Sequence, residues 1–159
     1  MVGIFYAFLG RKEEKYGVTI NSKNHSIDLS YSGFYRLRKK VAELTKPDIY
    51  EHYKMLNDGS YALIKIKGNE DFFAWYDRKI EELDKKYDGK YSEVLDFLYT
   101  SDCDGEADAD HCKSVYEIIK DYDDDICYGY CGRSDCAMFK DFKQLIKDGA
   151  DTEMGIEWY

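Results

Sequence analysis

The 159-residue chain has a single proline, Pro47. Average usage is roughly 5% and disordered chains run higher, so this scarcity argues for a folded chain. Long apolar runs are missing too. The best candidate, residues 2–9, is interrupted by Gly3 and falls well short of the roughly 20 residues that a membrane-spanning helix needs. No basic stretch precedes it, so it does not read as a secretion signal. The five cysteines make an odd number, and without an export signal we expect reduced thiols and a cytoplasmic location. A phosphate-binding P-loop, a dinucleotide glycine fingerprint, a nucleophile elbow and an HExxH motif are all absent. His25, His52 and His111 are scattered along the chain. No catalytic residues are assigned, and a non-enzymatic role is expected.

What is present is 44% hydrophobic and 35% charged residues, the balance of one globular domain spanning 1–159. A chain of this size can bury roughly 68–70% of the surface its unfolded form exposes. Charge is distributed unevenly. Residues 101–159 hold 6 Lys/Arg against 16 Asp/Glu, whereas residues 1–100 hold 17 against 16. Nearly all of the net charge of −9 therefore lies in the last third. Such a field repels nucleic acid and membrane phosphates and attracts cations or a basic protein surface.

Residues 17–20, 26–29, 2–9 and 60–67 read as strands from their apolar alternation or enrichment. Phe34, Leu37, Val41 and Leu44 recur at helical spacing, with Ser32 as N-cap. Pro47 suits the first turn of a short helix ending at the Asn57-Asp58-Gly59 turn. Asn69 would cap a long helix carrying Phe72, Phe73, Tyr76, Ile80 and Leu83. Asp88-Gly89 would end it, and 91–99 would form another. Further helices are expected near 108–121 and 135–147, and 154–159 as an edge strand. The fold class is α+β: a small, mostly antiparallel sheet with about five or six helices packed against it.

The acidic turn Ser101-Asp102-Cys103-Asp104-Gly105-Glu106 has the carboxylates and glycine of a calcium loop. Its register fails, because aligning Gly105 with loop position 6 puts Thr100 at position 1 and His111 at position 12, where an aspartate and a bidentate glutamate belong. An Asx-type turn opening a helix explains it better. Cys127, Cys131 and Cys136 are spaced C-x3-C and C-x4-C, short of the paired knuckles of zinc sites. They are the residues a zinc site would use, but no zinc, calcium or other cofactor is expected. The helix start at Ser32-Gly33, followed by Arg36, Arg38, Lys39 and Lys40, offers amides and guanidinium groups to a phosphate or carboxylate. A solvated basic face explains the same residues.

Three segments occur in order: Ser30-Tyr31-Ser32-Gly33-Phe34 with Leu37-Arg38, then Leu98 to Glu106 with its Ser-Asp-Cys-Asp-Gly turn, then a short terminal strand after Phe139-x-x-Phe142. This pattern resembles a group of small bacterial and phage-associated proteins without known activity, over residues 26–159. The resemblance implies that residues 30–33 and 101–106 meet in the fold.

Two functional readings follow. In the first, the chain is an acidic protein-interaction module, with Asp121, Asp123, Asp124 and Asp125 beside Tyr122, Tyr128 and Tyr130 docking on a basic partner. A phage-linked form would inhibit a nucleic-acid-binding defence protein by imitating phosphate charge. In the second, Ser32, Gly33, Arg36, Asp102 and Asp104 converge on one pocket that binds a cation or a phosphate, with some enzymatic reaction open to it.

Overall fold

The computed structural model describes residues 17–59, 66, 68, 70–130 and 132–159. The strand expected over 2–9 and the Asn69 cap lie outside them, as does the strand expected over 60–67 apart from Ile66. Val18 and Ile20 alternate with Thr19 and Asn21, and this period of two builds β1 (Gly17–Asn21). It pairs antiparallel with β2 (Ser26–Ser30), Val18 opposite Leu29 and Ile20 opposite Ile27. The chain then turns directly into α1 (Tyr31–Thr45). Ser30 caps this helix in place of Ser32, its hydroxyl accepting from Gly33 N at 3.0 Å. As the last residue of β2, Ser30 keeps the extended backbone that an N-cap requires.

Helix α2 (Pro47–Asp58) opens on its proline and ends at Gly59, whose φ of 77° terminates it. Helix α3 (Phe72–Lys86) is capped by Asp71, which accepts from Ala74 N at 2.9 Å, and Tyr76 is its buried residue. Asp88 and Gly89, at φ 51° and 73°, break the chain before α4 (Ser92–Tyr99). A three-residue strand that the sequence pattern did not reveal, β3 (Gly105–Ala107), follows within the acidic turn. Helix α5 (Ala109–Ile119) comes next, then α6 (Phe139–Asp151) and β4 (Ile156–Trp158). Helix α6 starts about one turn later than its pattern suggested, because residues 127–138 are held as a loop. Tyr128 N donates to Ala137 O at 2.9 Å, and Cys127 and Cys136 are joined in a disulfide with Cα atoms 6.0 Å apart. The expectation of five reduced thiols is thereby corrected. Cys103 and Cys112 are free thiols, and Cys131 lies outside the described residues.

The four strands form an antiparallel sheet in the order β2-β1-β4-β3, giving the expected α+β architecture with six helices among the described residues. The terminal strand is therefore central in the sheet, between β1 and β3, and not at its edge. The reason is Trp158. Its indole is buried edge-on against Phe34 at 5.8 Å and Phe97 at 6.1 Å, and its Nε1 donates to Ser101 O at 2.9 Å. Phe34, Leu37 and Val41 of α1, Phe97 of α4, Ile119 of α5 and Phe142 of α6 complete the core against Val18, Ile20, Leu29 and Ile156. Each such side chain contributes roughly 1.5–3 kcal/mol through burial. Among the described residues no helix is long and apolar enough to cross a membrane.

Candidate functional site

The inward residues of β3 and β4 fix what their outward residues do. Gly105 lies opposite Trp158, and a Cβ there would run into the indole ring, so the strand needs glycine at this position. Gly155, at φ 68°, lets the preceding turn press against the Ala107 carbonyl. With this register locked, Glu106 stands directly opposite Glu157. Both are exposed, and neither has an ion-pair partner among the described residues. Like charges directly opposed on neighbouring strands are destabilising.

The two glutamates line an open groove of about 460 Å³ together with Asp108, His111, Met154 and Lys23. Asp108 caps α5, its Oδ1 accepting from His111 N at 2.9 Å and pairing with His111 Nδ1 at 2.7 Å. His111 Nε2 meets Asp96 Oδ2 at 3.0 Å. Partial burial alone would lower the imidazole pKa, but the hydrogen bonds to Asp108 and Asp96 outweigh it and hold the ring above its ordinary value. Both ring nitrogens are thus committed to the two clamping carboxylates. Lys23 is the one lysine among the described residues on the groove wall, against Glu106, Glu157 and Asp108, and the groove keeps an excess of negative charge. Met154 is 67% exposed at its rim.

The acidic run singled out in the sequence is arranged differently. Asp124 accepts from the hydroxyls of Tyr128 at 2.8 Å and Tyr122 at 3.3 Å, and from Ile126 N at 3.1 Å. Asp123 pairs with Lys143 at 2.7 Å. Tyr128 is 2% exposed and packs on Phe139, as does the half-buried Tyr122. Burial, reinforced by Asp124, raises the Tyr128 hydroxyl pKa. Tyr130 is half-buried against Gly17, and Asp121, Asp123 and Asp125 are the exposed acids of the run, Asp123 being the one held in an ion pair among the described residues.

The residues of the second reading do not share one pocket. Ser32 Oγ lies 3.2 Å from Ser30 Oγ, Gly33 packs on the Tyr128 carbonyl, and Arg36 Nη2 donates to Cys127 O at 3.2 Å. Asp104 is exposed, while Asp102 lines a separate small cavity whose basic residue is Arg38. Residues 30–33 thus rest on the 127–129 segment, and it is Arg38, further along α1, that reaches the Thr100 carbonyl at 2.6 Å. Among the described residues no cluster of three or more His, Cys, Asp or Glu is placed to hold a metal. The disulfide takes Cys127 and Cys136 out of the candidate zinc set. Burial, then Asp108, pushes the Cys112 thiol up to about 12, which makes it a core residue and not a nucleophile.

Sequence reasoning missed the Glu106–Glu157 pair, because pairing partners are not written in either strand. It also missed Arg38 as a buried residue, although its spacing of four from Phe34 and three from Val41 puts it on the apolar face of α1. Comparison with protein-family models, with curated proteins and with solved structures gives no match.

Proposed function

We propose that the chain is an acidic protein-interaction module that docks on a basic partner surface. Its contact centre is the β3–β4 groove and not the 121–125 run. The observation that carries this reading is the juxtaposition of Glu106 and Glu157, neither of which has an ion-pair partner among the described residues. A local rule broken with no ion pair to offset it among the described residues is expected at functional positions, where a partner supplies the compensation. A lysine or arginine side chain entering the groove would meet both carboxylates, with its aliphatic stem along Met154. The same field disfavours nucleic acid. A partner whose basic surface ordinarily serves nucleic acid is the finer form of the reading, and the bacterial or phage-associated setting would suit an inhibitor of that kind.

The test is fluorescence anisotropy with a lysine- and arginine-rich peptide, titrated at rising salt. Wild-type chain should bind with salt-sensitive affinity. The double variant Glu106→Gln/Glu157→Gln should weaken binding about tenfold, and Asp121→Asn/Asp125→Asn should leave it within about twofold. Equal weakening by both pairs would reduce the effect to net charge and remove the groove from the reading. No binding at low salt would remove the reading itself.

A further inference from the structure

At the other end of the molecule, helices α1 to α4 enclose a cavity of about 50 Å³. At roughly 10–15 Å³ for each water, that is room for a few waters or one compact head group. Its wall is mostly apolar, with Tyr35 from α1, Tyr53 from α2, Phe73 and Tyr76 from α3, and Tyr99 from α4. Tyr53 and Tyr99 meet edge to face at 5.7 Å, as do Tyr76 and Tyr99 at 6.1 Å. Burial pushes the hydroxyls of Tyr35 and Tyr53 up to about 12 and raises those of Tyr76 and Tyr99, so all four stay neutral phenols. Phe73, 53% exposed, stands on the solvent side.

Two half-buried acids, Asp77 and Asp102, also line the cavity. Among the described residues its one basic neighbour is Arg38, which is 3% exposed. Arg38 Nη1 donates to the carbonyls of Phe97 at 3.1 Å, Leu98 at 3.0 Å and Thr100 at 2.6 Å, which close the C-terminus of α4. The Phe34 ring lies 4.0 Å from the guanidinium. Carbonyls at a helix end carry partial negative charge and offset part of the guanidinium. Two carboxylates against one such cation leave the wall with an excess of negative charge.

We propose that this cavity is a binding site for a methylated ammonium, a small monocation of the tetramethylammonium type. A plain ammonium group is strongly hydrated and carries only donors, so a mostly apolar wall returns little of the water it loses. Methyl groups spread the same charge over an apolar surface and leave no donors to satisfy. Their burial against aromatic carbon is favourable in itself. Asp77 and Asp102 then act through space, where a low local dielectric strengthens their attraction for the ion. The same pair repels anions. Phe73 gives the entering methyls their first apolar contact. The site is independent of the β3–β4 groove.

The test uses the full chain, 13C-labelled in its aromatic rings and methionine methyls, titrated with tetramethylammonium chloride at constant ionic strength and observed by NMR. Shifts should appear on Tyr35, Tyr53 and Phe73 and leave the Met154 methyl of the β3–β4 groove unmoved. The dissociation constant should be on the order of 1 mM, as expected for so few ligand atoms. Ammonium and tert-butanol supply the charge and the methyls separately, and each should bind at least about tenfold more weakly. Asp77→Asn/Asp102→Asn should weaken tetramethylammonium about tenfold. Phe73→Ala, at an exposed position, should weaken it about threefold and keeps the test decisive if the aspartate variant fails to fold. Absence of any shift in the folded wild type overturns the proposal. Shifts confined to Met154 overturn it by placing the cation in the groove, and tert-butanol binding as tightly does so by making the cavity simply apolar. Affinity unmoved in either folded variant overturns it equally.

Discussion

At the sheet end of the molecule, Glu106 and Glu157 oppose each other in solvent, and His111 bridges the carboxylates of Asp108 and Asp96. At the helical end, Arg38 is buried without an ion pair among the described residues, and His52 is buried as a neutral ring. His52 Nε2 lies 3.1 Å from the Tyr76 carbonyl, which can only accept, so this nitrogen carries the proton. Nδ1 therefore accepts from the Tyr99 hydroxyl at 2.6 Å. Water lets the first end carry surplus carboxylates at small cost, whereas the second must satisfy each charge with carbonyl dipoles or discharge it. The two histidines record the difference by shifting in opposite directions.

The largest effect that would sharpen this contrast belongs to His52. Burial, with Lys79 adding to it, lowers the ring to about 4, against an ordinary 6.5. The unfolded chain therefore binds a proton in this window that the folded chain refuses. Stability is fully present above 6.5 and falls as pH drops toward 4, by roughly 3 kcal/mol in all. Chemical denaturation of wild type and His52→Gln across this range should show a shallower loss in the variant. Parallel curves would place the acid sensitivity elsewhere.

The partner of that ring gives the next effect. Tyr99→Phe leaves His52 Nδ1 without its donor in the aromatic cluster of Tyr53, Tyr76 and Tyr99. A cost of about 1–3 kcal/mol in urea denaturation is expected. A change near zero would mean that water replaces the hydroxyl and that this end is wetter than its burial implies.

How much of this was legible beforehand follows from particular residues. Helix α2 was readable because Pro47 and Gly59 mark its two ends chemically. The alternation of Ile156, Glu157 and Trp158 told which face is buried, but strand order depends on partners far away in sequence. Strand β3 could not be found, since Gly105-Glu106-Ala107 carries no apolar signal and is held by Trp158. Arg36 and Arg38 look alike in composition, yet two positions on a helix are roughly 200° apart around its axis. That rotation takes Arg36 to the Cys127 carbonyl and Arg38 into the core. The acids at 121–125 were visible as charge. That Asp124 is held by Tyr122 and Tyr128, and Asp123 by Lys143 on α6, depends on how the chain folds back after 126 and is not written in the run itself.

Back at the sheet end the expected effects are smaller and carry the opposite sign. Glu106→Gln/Glu157→Gln should stabilise the isolated chain by about 0.5 kcal/mol, raising Tm by about 1–2 °C while weakening a basic partner. A gain in stability together with a loss of binding is the signature of a strained interface. Loss of both would mean that the glutamates serve the fold.

The smallest effect is that of His111. Its folded pKa lies above the ordinary 6.5, so its contribution is complete below 6.5 and is lost as pH rises through the folded value. Asp96 and Asp108 are mostly solvent-exposed, so screening holds the contribution to a few tenths of a kcal/mol. Denaturation of wild type at pH 6 and pH 8 should show this small decline, and His111→Gln should remove it. With His52 destabilising the fold below 6.5 and His111 above it, wild-type stability should peak near pH 6.5. Each variant should flatten only its own side of that peak. If His111→Gln also flattened the acidic side, the two ends would be coupled through α4, which carries both Asp96 and Tyr99, and the contrast between them would describe one electrostatic unit.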